Sequence, residues 1–409
     1  MIFYRLFFGL ALSLYAPYAL LREALGGKRI GDWKGRLGRI PLPRARGSIW
    51  IHAVSVGEVG AANAILRAIR EAGNARPLVL SSSTAAGLDL ARASREADHV
   101  VPFPFDLRRP VEGALDALDP CLLLLTETEI WPLLLESCSR RGIPVALVNG
   151  RISDRSFSRY RAFRALLRKS LRRITLFAMQ SELDAKRIRD LGAPPESVLV
   201  TGNVKFDVRV AADAAVADRV RGWADGRRVV IAGSTHEGEE AAVLDAWNTL
   251  KPQPLLVLAP RRPERFDAVF ALLLSRGIRA GRSSAPAANP DVVLLDTVGD
   301  LASAYGAADV AFIGGSLVPV GGHNPIEAWA HGIPTILGPH TGNFREIVRA
   351  GIAGHAAVTV RDSGELAAAI RRFLDEGDDA AGPARALVDG NRGAARAAAQ
   401  AVLSLRKTA

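Results

Sequence analysis

Ile49-Trp50-Ile51-His52-Ala53-Val54-Ser55-Val56-Gly57-Glu58-Val59-Gly60 is the stretch from which the fold of this chain can be read. Its first six residues form an apolar run of the length expected for a buried strand. Ser55 and the two glycines then turn the chain, and residues 61–71 carry apolar side chains at helical spacing. Strand, glycine turn and helix make one βα unit, and the chain repeats it. Runs at 78–80, 122–125, 145–148, 176–179 and 198–200 read as further buried parallel strands, with helical stretches such as 133–141 between them. The series pauses over 207–226, which is polar, rich in Ala and Asp and without a strand pattern, so an inter-domain connection is expected there. A second series follows at 229–232, 255–258, 292–295, 310–313 and 335–337. Two consecutive series predict an α/β protein of two doubly wound, Rossmann-like domains, with a cleft between the carboxyl ends of their strands. The last thirty residues, rich in Ala and Arg, read as a terminal helix that packs back on the first domain.

Composition agrees with two folded domains. The 409 residues exceed one ordinary core, and 49% of them are apolar. A net charge of +11 points to an anionic partner. Aromatic residues make up only 6% and no nucleic-acid-binding module is visible, so no nucleic acid is expected as that partner. The two cysteines, Cys121 and Cys138, form no CxxC, which argues against a disulfide framework and a cysteine-rich zinc site. Residues 6–21 are uncharged, with Arg5 before them and Arg22, Lys28 and Arg29 after them. This run is shorter than the ~20 residues that span a bilayer, and its aromatic residues suit an interfacial or tilted anchor. The basic cluster beyond it places the body on the cytoplasmic side. A signal peptide and a buried first helix are the rival readings.

Chemistry concentrates at the carboxyl ends of the strands. Glu58 falls in the turn after the first strand, where a helix dipole is expected to keep it ionised and able to accept a proton. Position alone leaves two roles open, proton acceptor or helix cap. Thr126-Glu127-Thr128-Glu129-Ile130-Trp131-Pro132 has the same placement after the strand at 122–125, and buried carboxylates there need cations or substrate hydroxyls. Residues 151–173 hold nine basic side chains against one acid, Asp154. Among them Arg161, Arg164, Arg168 and Arg172 recur at helical spacing, which predicts one basic face toward anionic lipid or a phosphorylated acceptor.

In the second series, Ile231-Ala232-Gly233-Ser234-Thr235 leads a strand into a small-residue turn suited to phosphate, and Pro260-Arg261-Arg262 offers a guanidinium beside it. Phe312-Ile313-Gly314-Gly315-Ser316 is followed by Gly321-Gly322-His323-Asn324-Pro325-Ile326-Glu327. Asn324 as N-cap with Pro325 behind it predicts a helix start that attracts anions, and Glu327 is placed either to hold a ribose diol or to complete the cap. Gly338-Pro339-His340-Thr341-Gly342 is a second glycine turn fit to close the same pocket. No Asp-x-Asp pair follows a strand, so no metal is expected, and helix N-termini and cations would stabilise the leaving group.

These motifs resemble one family, the 3-deoxy-D-manno-oct-2-ulosonic acid (Kdo) transferases of lipopolysaccharide assembly. The likeness rests on Ser55-Val56-Gly57-Glu58, on Glu127-Thr128-Glu129-Ile130-Trp131-Pro132 and on Asn149-Gly150-Arg151-Ile152-Ser153-Asp154-Arg155-Ser156. It continues through Gly202-Asn203-Val204-Lys205-Phe206-Asp207, Ala232-Gly233-Ser234-Thr235-His236-Glu237-Gly238-Glu239-Glu240 and Gly321 to Glu327, in order along nearly the whole chain. The resemblance implies a GT-B glycosyltransferase that moves Kdo from CMP-Kdo to the lipid A precursor lipid IVA with inversion. It implies no cofactor beyond the donor substrate, and a place on the anionic cytoplasmic face of the inner membrane. The family's general base falls on Glu58, and its transition-state charges fall on Glu127 and Lys205. CMP contacts fall on Pro260, Arg261, Gly299, Asp300 and Leu301, and on Gly322, His323, Asn324, Pro325, Ile326 and Glu327. The expected layout is an anchor helix at 1–30, an acceptor domain at 31–206, a linker at 207–226, a CMP-sugar domain at 227–385 and a terminal helix at 386–409. Gly150 departs from the family, where Ala is frequent, as does the pair Pro325-Ile326. The alternatives are another nucleotide-sugar transferase or epimerase of the same fold, and a non-catalytic scaffold at the membrane surface.

Overall fold

The computed structural model describes residues 4, 13, 32–40, 46–207, 213–285 and 287–405. The chain divides into two compact units, Met1–Asp207 with Arg392–Ala409, and Val208–Asn391. Each is built around one seven-stranded sheet.

In the first unit the strands are β1 (Ile49–Ala53), β2 (Leu78–Ser82), β3 (His99–Pro102), β4 (Leu122–Thr126), β5 (Val145–Gly150), β6 (Leu176–Met179) and β7 (Val198–Val200). All pair in parallel, in the order β3-β2-β1-β4-β5-β6-β7. Side chains alternate between the two faces of a strand, and here both faces are covered. Trp50, Val79, Leu123, Leu125, Val145 and Leu147 belong to one apolar cluster. Ile49, Ile51, Leu78, Leu80, Leu122, Leu124 and Ala146 belong to another. The helices Val56–Glu71 and Ala394–Ser404 pack on the second of these, and Ala395, Ala398 and Ala399 are small enough to let them approach closely.

In the second unit β8 (Val229–Thr235), β9 (Leu255–Pro260), β10 (Ala280–Arg282), β11 (Val292–Leu294), β12 (Val310–Ile313), β13 (Thr335–Leu337) and β14 (Ala357–Thr359) form a parallel sheet. Its order is β10-β11-β9-β8-β12-β13-β14. The direction of strand succession reverses beside the first strand of each sheet, between β1 and β4 and between β8 and β12. The loops after those strands therefore diverge and leave a crevice at the carboxyl edge.

Three strands escape the sequence pattern: β3, β10 and β14. Each lies at an edge of its sheet, is short and is only partly buried, so it lacks the continuous apolar run of a central strand. The expected linker is corrected as well. Ala214–Ala224 is a helix of the second unit, capped by Asp213, with Val216, Ala217, Val220 and Ala224 buried. Only 208–212 separates it from the first unit, and those residues lie outside the described ones. The terminal segment also divides differently from the expected 386–409. Residues up to 391 complete the helix Asp378–Asn391 of the second unit, and Ala394–Ser404 belongs to the first. That last helix docks through Asp207, whose carboxylate accepts the N–H groups of Gly393 at 2.6 Å and Ala395 at 2.5 Å.

The single basic helical face expected from Arg161 to Arg172 is broken. Asp154–Ala162 and Arg164–Leu171 are separate helices, with Phe163 leaving helical geometry at φ −106° and ψ 20°. The apolar anchor at 6–21 lies outside the described residues, apart from Ser13. No helix among the described residues is long and apolar enough to cross a membrane. Tyr4 donates to Asp106 at 2.7 Å, and Asp106 also accepts the N–H groups of Leu133 and Leu134 at the start of the helix Pro132–Arg140.

Candidate active site

Glu58 is set by the turn at the end of β1. Ser55 caps the helix Val56–Glu71 and receives the Glu58 N–H, while the Glu58 carboxylate accepts the Val54 N–H and the Ser55 hydroxyl, each at 2.9 Å. This is a variant of the capping box in which the carboxylate reaches the N–H one residue before the N-cap, so the capping role is realised in the fold. The carboxylate also lies 3.0 Å from the Thr126 hydroxyl at the end of β4, across the point where the strand order reverses. Burial raises its pKa, with the Val54 N–H opposing and the Glu127 charge adding to the rise. Loss of water thus outweighs the amide environment, so the carboxylate binds a proton more readily than a free glutamate does.

The loop after β4 brings two more carboxylates to the same place. Glu127 has a left-handed backbone, φ 54°, and its side chain pairs with Lys205 at 3.3 Å. Burial pushes the Glu129 carboxyl up to about 7, with the charges of Glu58 and Glu127 adding to the effect. Three carboxyl groups and one lysine thus share this edge, and the two more buried acids hold their protons more tightly than free glutamate does.

Lys205 is positioned by a residue given no role in the sequence reading. Asn149, at φ 52° near the end of β5, accepts the Val204 N–H on its side-chain oxygen at 3.1 Å. Val204 and Phe206 are buried on either side of Lys205. The two motifs at 149–156 and 202–207 therefore act as one support. An Asn followed by Gly is a turn signal in sequence, but the 55-residue separation hid its partner. His52 is fully buried at the same edge, stacked on Phe103 at 3.5 Å, and burial lowers it to about 3. It is a neutral packing group there.

In the second unit the crevice lies between the loops after β8 and β12. The glycine turn at 314–317, bonded to the 231–235 segment through the Gly314 N–H on the Gly233 carbonyl, is already filled. The buried Glu239 carboxylate accepts the N–H groups of His236 (2.9 Å), Gly315 (2.7 Å), Ser316 (2.9 Å) and Leu317 (2.9 Å). The backbone donors of this turn bind an anion of the protein itself. Gly314 allows the closeness, because a Cβ on it would stand 2.4 Å from the Ser234 carbonyl oxygen.

Beyond this nest, Asn324 accepts the Ile326 N–H at 3.1 Å just ahead of the short helix Ile326–Ala330, whose N-cap is Pro325, one residue later than the Asn-Pro signal predicts. Burial raises the Glu327 carboxyl, opposed by a hydrogen bond from Asn324 and by the charge of Arg261. The structure thus brings Arg261, Asn324 and Glu327 into one electrostatic neighbourhood. Asp300 stands where the helix Leu301–Ala304 begins, after Gly299 at φ 101°, and accepts the Thr297 hydroxyl at 2.7 Å. The turn at 338–342 is joined to the same loops. The Gly338 N–H donates to the Ser316 hydroxyl at 2.8 Å, and a Cβ on Gly322 would meet the His340 carbonyl at 3.2 Å.

Comparison with known proteins assigns both units. Residues 31–208 match the family described as 3-deoxy-D-manno-octulosonic-acid transferase, and residues 227–376 match the glycosyl transferases group 1. A 3-deoxy-D-manno-octulosonic acid transferase from Haemophilus influenzae is 37% identical over 79% of this chain and 77% of its own. One from Bordetella pertussis is 36% identical over 87% of each chain. Among solved structures, the UDP-GlcNAc 2-epimerase from Neisseria meningitidis shares the fold, with a TM-score of 0.61 at 13% identity over 87% of this chain and all of its own. On the strength of those relatives, the chain belongs to the 3-deoxy-D-manno-octulosonic acid (Kdo) transferase family of glycosyltransferase enzymes.

Proposed function

We propose that the protein transfers Kdo from CMP-Kdo to the lipid A precursor lipid IVA at the cytoplasmic face of the inner membrane, without a metal and with inversion at the anomeric carbon. Glu58 is the general base. It takes the proton of an acceptor hydroxyl, the oxygen attacks the anomeric carbon, and the bond from that carbon to the phosphate oxygen breaks as CMP leaves with the electron pair. The observation that carries this reading is the environment of Glu58. The carboxylate is buried at the strand-order reversal, fixed by Val54, Ser55 and Thr126, and burial raises its pKa above that of a free glutamate.

Lys205, tied to Glu127, offsets the charge of the sugar carboxylate or of the departing phosphate. Arg261, Asp300, Asn324 and Glu327 supply the contacts to CMP in the second unit. An N-terminal anchor and the basic segment 151–173 hold the enzyme against anionic lipid.

Incubation with CMP-Kdo and lipid IVA, with products weighed by mass spectrometry, tests the reaction and counts the sugars added. Glu58→Gln keeps an amide oxygen for the cap and loses the base, so turnover is expected to fall ~10²–10⁴-fold while CMP still binds. Near-normal turnover in that variant removes Glu58 from the role. Thermal stabilisation by UDP rather than CMP would favour another nucleotide-sugar enzyme of the same fold.

A further inference from the structure

His236 lies in the turn between β8 and the helix Glu239–Asn248, and His323 follows Gly321 and Gly322. Their Nε2 atoms are 2.8 Å apart and their ring planes lie within 6° of parallel. Such a contact requires one nitrogen to carry a proton and the other to be bare, so the two facing atoms share a single N–H. Gly315 makes room for it. A Cβ there would stand 3.0 Å from His323 Cδ2 and 3.1 Å from its Nε2.

The two loops joined by this bond differ in support. The His236 N–H is tied to Glu239, which also holds Gly315, Ser316 and Leu317. The His323 loop enters through two left-handed glycines, Gly321 at φ 106° and Gly322 at φ 76°. Its own backbone ties are the Gly322 N–H on the Gly315 carbonyl at 2.7 Å and the Asn343 N–H on the Gly321 carbonyl at 2.9 Å. The imidazole bond adds a side-chain tie between the His323 loop and the turn fixed by Glu239.

We propose that His236 is a positioning residue for donor binding, holding the segment that carries Asn324 and Glu327 in place through its Nε2–Nε2 bond to His323. The inference rests on the reading of that segment as the CMP site. It also carries a pH dependence, because a second proton between the rings breaks the bond.

The arginine neighbours oppose that proton, whereas the two glutamates favour it. Glu239, Glu240, Arg262 and Arg265 face His236, and Arg261 faces His323. Glu240 is held by Arg265 through bonds of 2.5 and 3.1 Å, and Glu239 is occupied by its four N–H donors. Burial lowers His323 to about 4, with His236 and Arg261 adding to the effect, and burial likewise lowers His236. The bond is therefore intact at neutral pH and opens in acid.

The test measures CMP binding to the full-length protein by calorimetry between pH 7.5 and 3.5, together with KM and kcat for CMP-Kdo. His236→Leu removes the bond and is expected to weaken CMP binding and raise the donor KM by about 3–10-fold, the range for one neutral hydrogen bond, with kcat at saturating donor held within about twofold. In His236→Gln an amide N–H returns to the place of Nε2, so affinity recovers and its loss in acid becomes shallower than in the wild type. A leucine variant with wild-type CMP affinity overturns the inference, as does a glutamine variant no better than leucine. Should the leucine variant fail to fold, the wild-type acid limb and the glutamine variant decide alone, and a pH-independent wild-type affinity is then the overturning result. A wild-type protein that binds no CMP refutes the donor reading itself, and this inference with it.

Discussion

Glu239→Gln is the sharpest test of how the second unit is held together. The Glu239 side chain is fully buried, and its two oxygens each accept two backbone N–H groups, His236 and Gly315 on one, Ser316 and Leu317 on the other. Gln keeps the shape but replaces one oxygen with an NH2 group, so two acceptances vanish and two buried N–H donors face another donor. Hydrogen bonds to a charged acceptor contribute about 1.5–3 kcal/mol each, and an unsatisfied buried donor costs on the order of 1–3 kcal/mol. Relief from burying a charge offsets part of this. A net loss of roughly 4 kcal/mol remains. For a unit of about 150–250 residues each kcal/mol moves the midpoint by about 2–4 °C, so a fall of about 8–16 °C is expected. Scanning calorimetry of the full chain at a fixed scan rate reads it directly. A fall of less than about 2 °C would refute the argument, because it would mean that the loops after β8 and β12 do not depend on this carboxylate.

Three further expectations follow from the first unit. In Gly150→Ala the new Cβ would meet Met179 Sδ at 2.5 Å and Leu147 Cδ2 at 2.6 Å, so overpacking should cost about 1–3 kcal/mol in urea unfolding; Met179→Ala in the same chain should recover part of it, and purely additive losses would discount the contact. Glu129, pushed up to about 7, holds a proton in the folded state that the unfolded chain releases near pH 4.5, so its contribution is present below that pH and is lost as pH rises through 7. Glu129→Gln should therefore gain stability over the wild type between pH 5 and 8, by up to roughly 3 kcal/mol, and an offset equal at both pH values would contradict this. Lys205→Met leaves Glu127 without its 3.3 Å partner beside Glu58 and Glu129, raising the base further; the pH–rate profile should move to higher pH and kcat should drop, whereas an unmoved profile would exclude Lys205 from the electrostatics of the site.

Legibility in the sequence followed the range of the interactions. Glu58 and Asn324 could be placed because the turn, the cap and the helix start that hold them lie within a few residues of chain. The filling of the turn at 314–317 was invisible, because Glu239 lies 76 to 78 residues from the groups it binds. A glycine turn looks the same in sequence whether its N–H groups await a phosphate or already hold a carboxylate. The upward shift of the Glu58 pKa was hidden for a related reason. The helix dipole is a local property, whereas burial is decided by everything packed around the group.

The βα repeat, the central strands of both sheets and the placing of the chemistry at their carboxyl ends can be read along the chain. Those features depend on side-chain period and turn residues along a short stretch of backbone. The edge strands β3, β10 and β14, the joining of Asn149 to the Lys205 loop, the docking of the last helix on Asp207 and the meeting of His236 with His323 emerge once the chain is folded. Each of these depends on strand order and register, which bring together atoms 55 to 188 residues apart in the chain or cover a strand too short to declare itself.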